Sequence, residues 1–232
     1  MRCYLNIWII LLLFLSACAP VAPKLDLSPY CRADTPQQEL IQNHWLNQEN
    51  TWRLRQSALL EIGTRKNALE GFVRLDLKQR QVRLVALNEM GLVVFDLHVD
   101  PHSEKLMRAL PQVRKIKGFA TGVGASLRHI FLTPRPRADD TLEDHGHYQR
   151  LVRREMQEHG EKSGRLEFVF DCAGNLRRTR LQSATSTWQV LYSAYREYAL
   201  KAGHVEIPES IVLHNAQQRM KLTLTLNDVR QE

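Results

Sequence analysis

Side chains able to hold a metal crowd together only at Glu143, Asp144, His145 and His147. Imidazole and carboxylate are competent zinc ligands, and His145 and His147 could both bind from one loop. No second cluster supplies the remaining ligands at a recognisable spacing, so a solvated polar loop is the expectation. Gly118, Gly122 and Gly124 imitate a phosphate-cradling loop, but no lysine follows in register and the context is not βαβ. Their expected task is to let the chain turn before a helix. There is no Gly-x-Ser-x-Gly elbow, and scattered Ser, His and Asp residues are expected in any chain of 232 residues. Nothing here supports an enzyme, a bound metal or a cofactor.

Cysteine offers the other chemistry. An apolar run from Ile7 to Leu15 follows the positive charge of Arg2 and ends in Leu15-Ser16-Ala17-Cys18. A charged start, an apolar core and small residues at its end are the parts of an export signal, and the run is short for a membrane span of about 20 residues. The stretch resembles the bacterial lipobox, in which the cysteine is acylated and becomes the first residue of the mature chain. An ordinary signal peptide and an uncleaved anchor helix are the other readings. On the lipobox reading, residues 1–17 are removed and Cys18 carries the membrane anchor, each buried methylene contributing about 0.8 kcal/mol. Ala19, where enterobacterial lipoproteins kept at the inner membrane commonly have Asp, then points to the outer membrane, facing the periplasm. Cys3 leaves with the signal, and Cys31 and Cys172 remain in an oxidising compartment. They form a disulfide if their Cα atoms come close enough; otherwise they are two buried thiols.

The rest of the chain reads as one domain, or one domain plus small additions, with no second apolar run able to cross a bilayer; the full sequence is 44% hydrophobic and 25% charged. Its net charge of +7 suits solubility and equally an anionic envelope surface; given the export signal, nucleic acid is the least expected partner. Residues 18–36, with four prolines, read as an extended tether and residues 37–232 as the folded domain. A short helix is expected from Gln37 to about Trp45. From Thr51 the apolar period becomes two: Trp52 to Ile62, Leu69 to Leu77, Val82 to Ala86 and Val93 to Val99. Two helices are expected next, Ser103 to Leu110 and a run through Val123, Leu127, Ile130 and Phe131. Arg135 to Gly146 reads as loop. Strands resume at Leu166-Glu167-Phe168, turn at Ala173-Gly174-Asn175, and continue through Trp188, Val190, Tyr192 and Ala194, Ile211 to Leu213, and Met220 to Leu226. The fold class is therefore mainly antiparallel β, with one apolar face covered by a few helices. Strands curled around movable helices would leave a cavity that binds acyl chains; a tightly filled core is the alternative.

The order of elements resembles the periplasmic lipoprotein carriers LolA and LolB across Trp52 to Val229. The residues that carry the likeness are Val82 to Leu97, Trp188-Gln189-Val190-Leu191-Tyr192, Ile207-Pro208, and the alternating Lys221 to Asp228. Uncharacterised LolA-like lipoproteins associated with aryl-polyene or fatty-acid-like biosynthesis clusters are similar too. The resemblance implies a half-open β-barrel with lid helices over a lipid cavity, and no catalysis. It implies acylated cargo (a lipoprotein, a lipid or a polyene-type lipid) and a periplasmic carrier protein as a candidate partner. The residues expected to line the cavity are Trp52, Leu54, Val73, Leu75, Leu84, Phe95, Leu97, Leu127, Phe131, Trp188, Val190, Tyr192, Leu222 and Leu224. By the same likeness, Met90 in Asn88-Glu89-Met90-Gly91 stands where LolB carries an exposed apolar residue that helps insert cargo into a membrane. A non-enzymatic assembly lipoprotein of an envelope complex is the rival reading.

Overall fold

A computed structural model describes residues 25, 27–28, 30–42, 44–47, 50–132, 135–156, 164–184, 186–200 and 203–232. Cys3, Cys18, the signal segment and the first half of the tether lie outside the described residues.

Strict alternation of apolar and polar residues makes each strand half-buried, and short turns between strands favour antiparallel pairing of neighbours. The result is one twelve-stranded sheet. In chain order its strands are β1 Thr51–Ile62, β2 Arg65–Asp76, β3 Gln81–Leu87, β4 Val93–Val99, β5 Glu104–Ala109, β6 Thr141–Asp144, β7 Tyr148–Met156, β8 Gly164–Asp171, β9 Leu176–Gln182, β10 Thr187–Leu200, β11 Gly203–Asn215 and β12 Met220–Gln231. Across the sheet they run β5-β4-β3-β2-β1-β12-β11-β10-β9-β8-β7-β6, so β5 and β6 remain edges and the barrel is open. The two halves of the chain meet where β1 pairs with β12, from Trp52 opposite Gln231 to Ile62 opposite Met220.

The helices are few. α1 spans Gln37–Gln42 and leads into a 3-10 turn at Trp45–Asn47. α2 is a single turn, Pro111–Arg114, and α3 spans Phe119–Leu127 before widening into one π-helical turn, Arg128–Leu132. Gly118 starts α3 with φ +73°, a conformation that other residues adopt at a cost. Gly124 lies inside α3, where a Cβ would come within 3.1 Å of the Glu104 side chain; the missing side chain lets the helix rest on β5.

Three expectations are corrected. Ser103 to Leu110 is not a helix but contains β5. Leu106 sits opposite Leu97, and a bulge beside that pair takes up Met107, so two adjacent apolar residues fit a strand as well as a helical face. Pro111 accordingly begins a helix rather than ending one. The stretch read as loop contains β6, which pairs Thr141–Asp144 with Gln149–Val152 and ends the sheet. Ala194 does not share a side with Tyr192. It has φ +54° and is exposed, and the register jumps from Ser193–Ser210 to Tyr195–Pro208 around it.

Candidate functional site

The inner face of the sheet is largely apolar, with Gln56 and Thr179 buried among its apolar residues. Trp52, Leu54, Val73, Leu75, Leu84, Phe95, Leu97, Trp188, Val190, Tyr192 and Leu224 are all buried there, and Leu222 is partly buried against them. The lid contributes Leu127, Ile130, Phe131 and Leu132, and the N-terminal segment Leu40, Trp45 and Leu46. Trp45 meets Phe131 edge-on, with ring centroids 6.2 Å apart, and His129 stacks on Trp188 at 4.2 Å. All fourteen residues expected to line a cavity are thus gathered in one cluster, beneath or within the lid.

This interior contains polar atoms without partners. The indole N–H groups of Trp45, Trp52 and Trp188 and the Oε1 of Gln56 are buried and make no hydrogen bond. An unmatched buried donor costs about 1–3 kcal/mol. The spacing of β1 puts Gln56 on the same side as Trp52 and Leu54, but residue type alone marks the tryptophans as apolar area and gives Gln56 no role. Space for Gln56 comes from Gly71 across the strand, where a Cβ would stand 3.4 Å from its Nε2.

The lid is held by polar contacts to the β4–β5 hairpin. Arg128 donates to the Asp100 carbonyl at 2.8 Å and to the Glu104 carboxylate, and the Thr121 hydroxyl donates to Glu104 at 2.9 Å. The hydrogen bond from Arg128 holds the Glu104 carboxyl below its usual pKa. Arg80 donates to the Leu132 carbonyl at 3.1 Å, fixing the far end. Phe119 packs edge-on against Phe95 at 5.0 Å. Burial keeps two histidines neutral: His129 is lowered to about 4, helped by the neighbouring Arg128 charge, and His44 to about 3. Burial also raises the Tyr192 phenol.

At one end of the strands stands the turn that carries Met90, which is 78% exposed; Leu92, beside it, is 55% exposed. Asn88 shapes the turn by accepting from the Met90 and Leu92 amides. Leu110 donates to the Val94 carbonyl, so the segment bearing exposed Ile116 leaves the sheet at this same end. A disulfide joins Cys31 to Cys172, in the β8–β9 turn at the opposite end of the strands. Ala33 is buried and donates to the Gly146 carbonyl, and Gln149 donates to the Thr35 carbonyl. Residues 31–36 therefore lie against the domain.

The acidic and histidine cluster is built into the β6–β7 hairpin. Glu143 accepts from Arg150, Asp144 accepts from the Gly146 amide, and His145 stacks on Tyr148 at 4.6 Å. Among the described residues no three His, Cys, Asp or Glu side chains converge to hold a metal. No helix among them is long and apolar enough to cross a membrane.

An open antiparallel sheet wrapped around an apolar interior, with a helical lid and no closing strand pair, is the LolA-like architecture. The chain has this fold. It is similar to a LolA superfamily protein from Nitrosomonas europaea, at 8% identity over 86% of this chain and 94% of that one, with a TM-score of 0.50. A putative outer membrane lipoprotein-sorting protein domain from Vibrio parahaemolyticus gives 10% identity over 84% and 90% of the two chains, with a TM-score of 0.44. A DUF1329 family protein from Desulfovibrio piger gives 7% identity over 84% and 91%, with a TM-score of 0.37. No protein-family profile matches the sequence, and no curated protein matches it.

Proposed function

We propose that this protein is a lipid-anchored envelope protein, held at the outer membrane through Cys18 and facing the periplasm. Its sheet receives an acylated molecule, lipoprotein or lipid, beneath the lid. The observation that carries the reading is the apolar interior, in which the indole donors of Trp52 and Trp188 on the sheet and of Trp45 on the N-terminal segment are unpaired, as is the Gln56 carbonyl oxygen. A filled hydrophobic core has no use for such donors. An acyl ester or amide has carbonyl acceptors that could satisfy them, while its chain replaces the lid side chains against the sheet.

The energies are of similar size. Burying a chain of about fourteen methylenes contributes roughly 11 kcal/mol. Displacing Leu127, Ile130, Phe131 and Leu132 costs roughly 1.5–3 kcal/mol each. Exchange between lid and cargo is thus near balance. Met90, with Leu92 and Ile116 around it, is the candidate point of contact with a membrane or a donor carrier. The tether is fastened at the other end of the strands, so Met90 points away from that attachment.

The test is uptake of a fluorescent fatty-acid analogue by the chain from residue 19 onward, with native mass spectrometry for co-bound lipid. That chain contains every residue that is buried in the core among the described residues, and both bridged cysteines. Uptake should be saturable. It should be lost in Leu127→Asp/Phe131→Asp if circular dichroism shows the sheet intact, and unchanged uptake there refutes the cavity.

A further inference from the structure

The outer face of the sheet breaks a pairing rule. Like charges directly opposite on neighbouring strands repel, with opposed residues only about 5 Å apart. Yet Arg230, Arg53, Arg74, Arg83, His98 and Lys105 stand opposite one another in turn across β12, β1, β2, β3, β4 and β5. This line crosses half the sheet with no acidic residue in it.

The next line on the same face runs Asp228, Arg55, Phe72, Val85, Asp96 and Arg108. Phe72 is 50% exposed amid these charges. Between the two lines lies an open depression of about 650 Å³, bordered by Arg53, Arg55, Arg74, Arg83 and Arg230 around Phe72 and Val85. Four carboxylates face these five arginines. Glu232 accepts from both Arg53 and Arg74, Asp96 pairs with Arg83, Asp228 with Arg230, and Glu70 with Arg55. All five arginines are more than half exposed; in the Arg55–Glu70 and Arg230–Asp228 pairs the carboxylate is well exposed too, and such a pair is worth about 0–1 kcal/mol and exchanges readily for another anion, whereas the nearly buried Asp96 holds Arg83 in a fork.

We infer that this outer face docks on an anionic, phosphate-bearing lipid surface, independently of the cargo site on the inner face. A broad array of guanidinium groups matches a surface of repeated phosphates, to which arginine donates in a fork. The half-exposed Phe72 supplies the apolar contact that an amphipathic interface favours. Each cation near an anionic bilayer contributes about a fivefold gain in partitioning.

The chain from residue 19 onward, which has no acyl anchor, is sedimented with phosphatidylglycerol–phosphatidylcholine vesicles and with phosphatidylcholine vesicles. Binding to the anionic vesicles that falls with added salt is expected. Arg55→Gln/Arg230→Gln, whose carboxylate partners Glu70 and Asp228 are themselves exposed, should lower it roughly 25-fold with an unchanged melting curve. Arg32→Gln/Arg196→Gln, which removes the same charge from exposed sites off this face, should leave most of the binding. Equal binding to neutral vesicles, equal losses in the two double variants, or retention in Arg55→Gln/Arg230→Gln each overturns the inference. Binding to soluble polyglutamate with none to vesicles would assign the face to an acidic protein and overturn it as well. Loss of fatty-acid uptake in Leu127→Asp/Phe131→Asp, by contrast, reports only on the inner site.

Discussion

Replacing Arg128 by Gln should loosen the lid without loosening the sheet. Arg128 is one-fifth exposed and joins the π-helical turn to Glu104 and to the Asp100 carbonyl. Its removal leaves the largely buried Glu104 carboxylate with only the Thr121 hydroxyl from the lid. Exposed pairs are worth about 0–1 kcal/mol and breaking buried ones costs about 3–5 kcal/mol, so this site should lie near 2 kcal/mol. At about 1.4 kcal/mol per decade, lid opening becomes roughly 30-fold more populated. Hydrogen exchange followed by mass spectrometry should show residues 119–132 losing about that much protection, while amides of β1 and β12 keep theirs. Fatty-acid uptake should quicken in parallel. Uniform loss over the whole sheet would show that Arg128 supports the global fold and is no latch; unchanged protection in the lid would refute the argument outright.

Acid should weaken the fold in two stages. His129 and His44 have folded pKa values of about 4 and 3, below the ordinary 6.5, so the unfolded chain takes up protons first and stability falls as pH drops from about 6.5 towards 4. Thermal melts from pH 7 to 5 should show this, with a shallower slope in His129→Phe, which keeps a ring on Trp188. Glu104 and Asp100, both held below their usual values, contribute stability above the ordinary carboxylate range and lose it only at lower pH, below about 4. Reducing the Cys31–Cys172 bridge, which spans 141 residues, should cost roughly 2–5 kcal/mol, and limited proteolysis should then cut first near residues 31–36. Trp188→Phe removes an unpaired donor, which offsets part of the cost of the smaller ring in the core, and binding of an acyl ester should weaken while that of a plain hydrocarbon does not. An equal loss for both ligands would argue against the donors' role.

Much of the architecture was legible because period-two patterning states which residues face inward and short turns dictate antiparallel neighbours. Trp52-x-Leu54 and Val73-x-Leu75, and the alternating Met220 to Leu226, could be placed on one apolar face from their spacing alone. The helix through Leu127 and Phe131 was equally readable, since its apolar residues recur at helical intervals. Glu104–Ala109 was not: Leu106-Met107 serves either geometry, and only the exposed hydrogen-bonding edge of β4 makes it a strand. The same holds for Thr141–Asp144, whose polar residues pair because β7 has a free edge. The slip at Ala194 depends on a backbone conformation that the amino-acid type disfavours, and spacing carries no sign of it.

The site divides along the same line. Residue types alone determined that the interior would be apolar and that Cys31 and Cys172 could pair. The unmet hydrogen-bonding groups of Trp45, Trp52, Trp188 and Gln56, and the line of basic residues from Arg230 to Lys105, exist only once the chain is paired and packed. Arg230 and Arg53 are 177 residues apart in sequence and directly opposite in the sheet. Pattern along a chain reports which way each side chain points; which side chains meet is decided by long-range pairing, and that belongs to the tertiary structure.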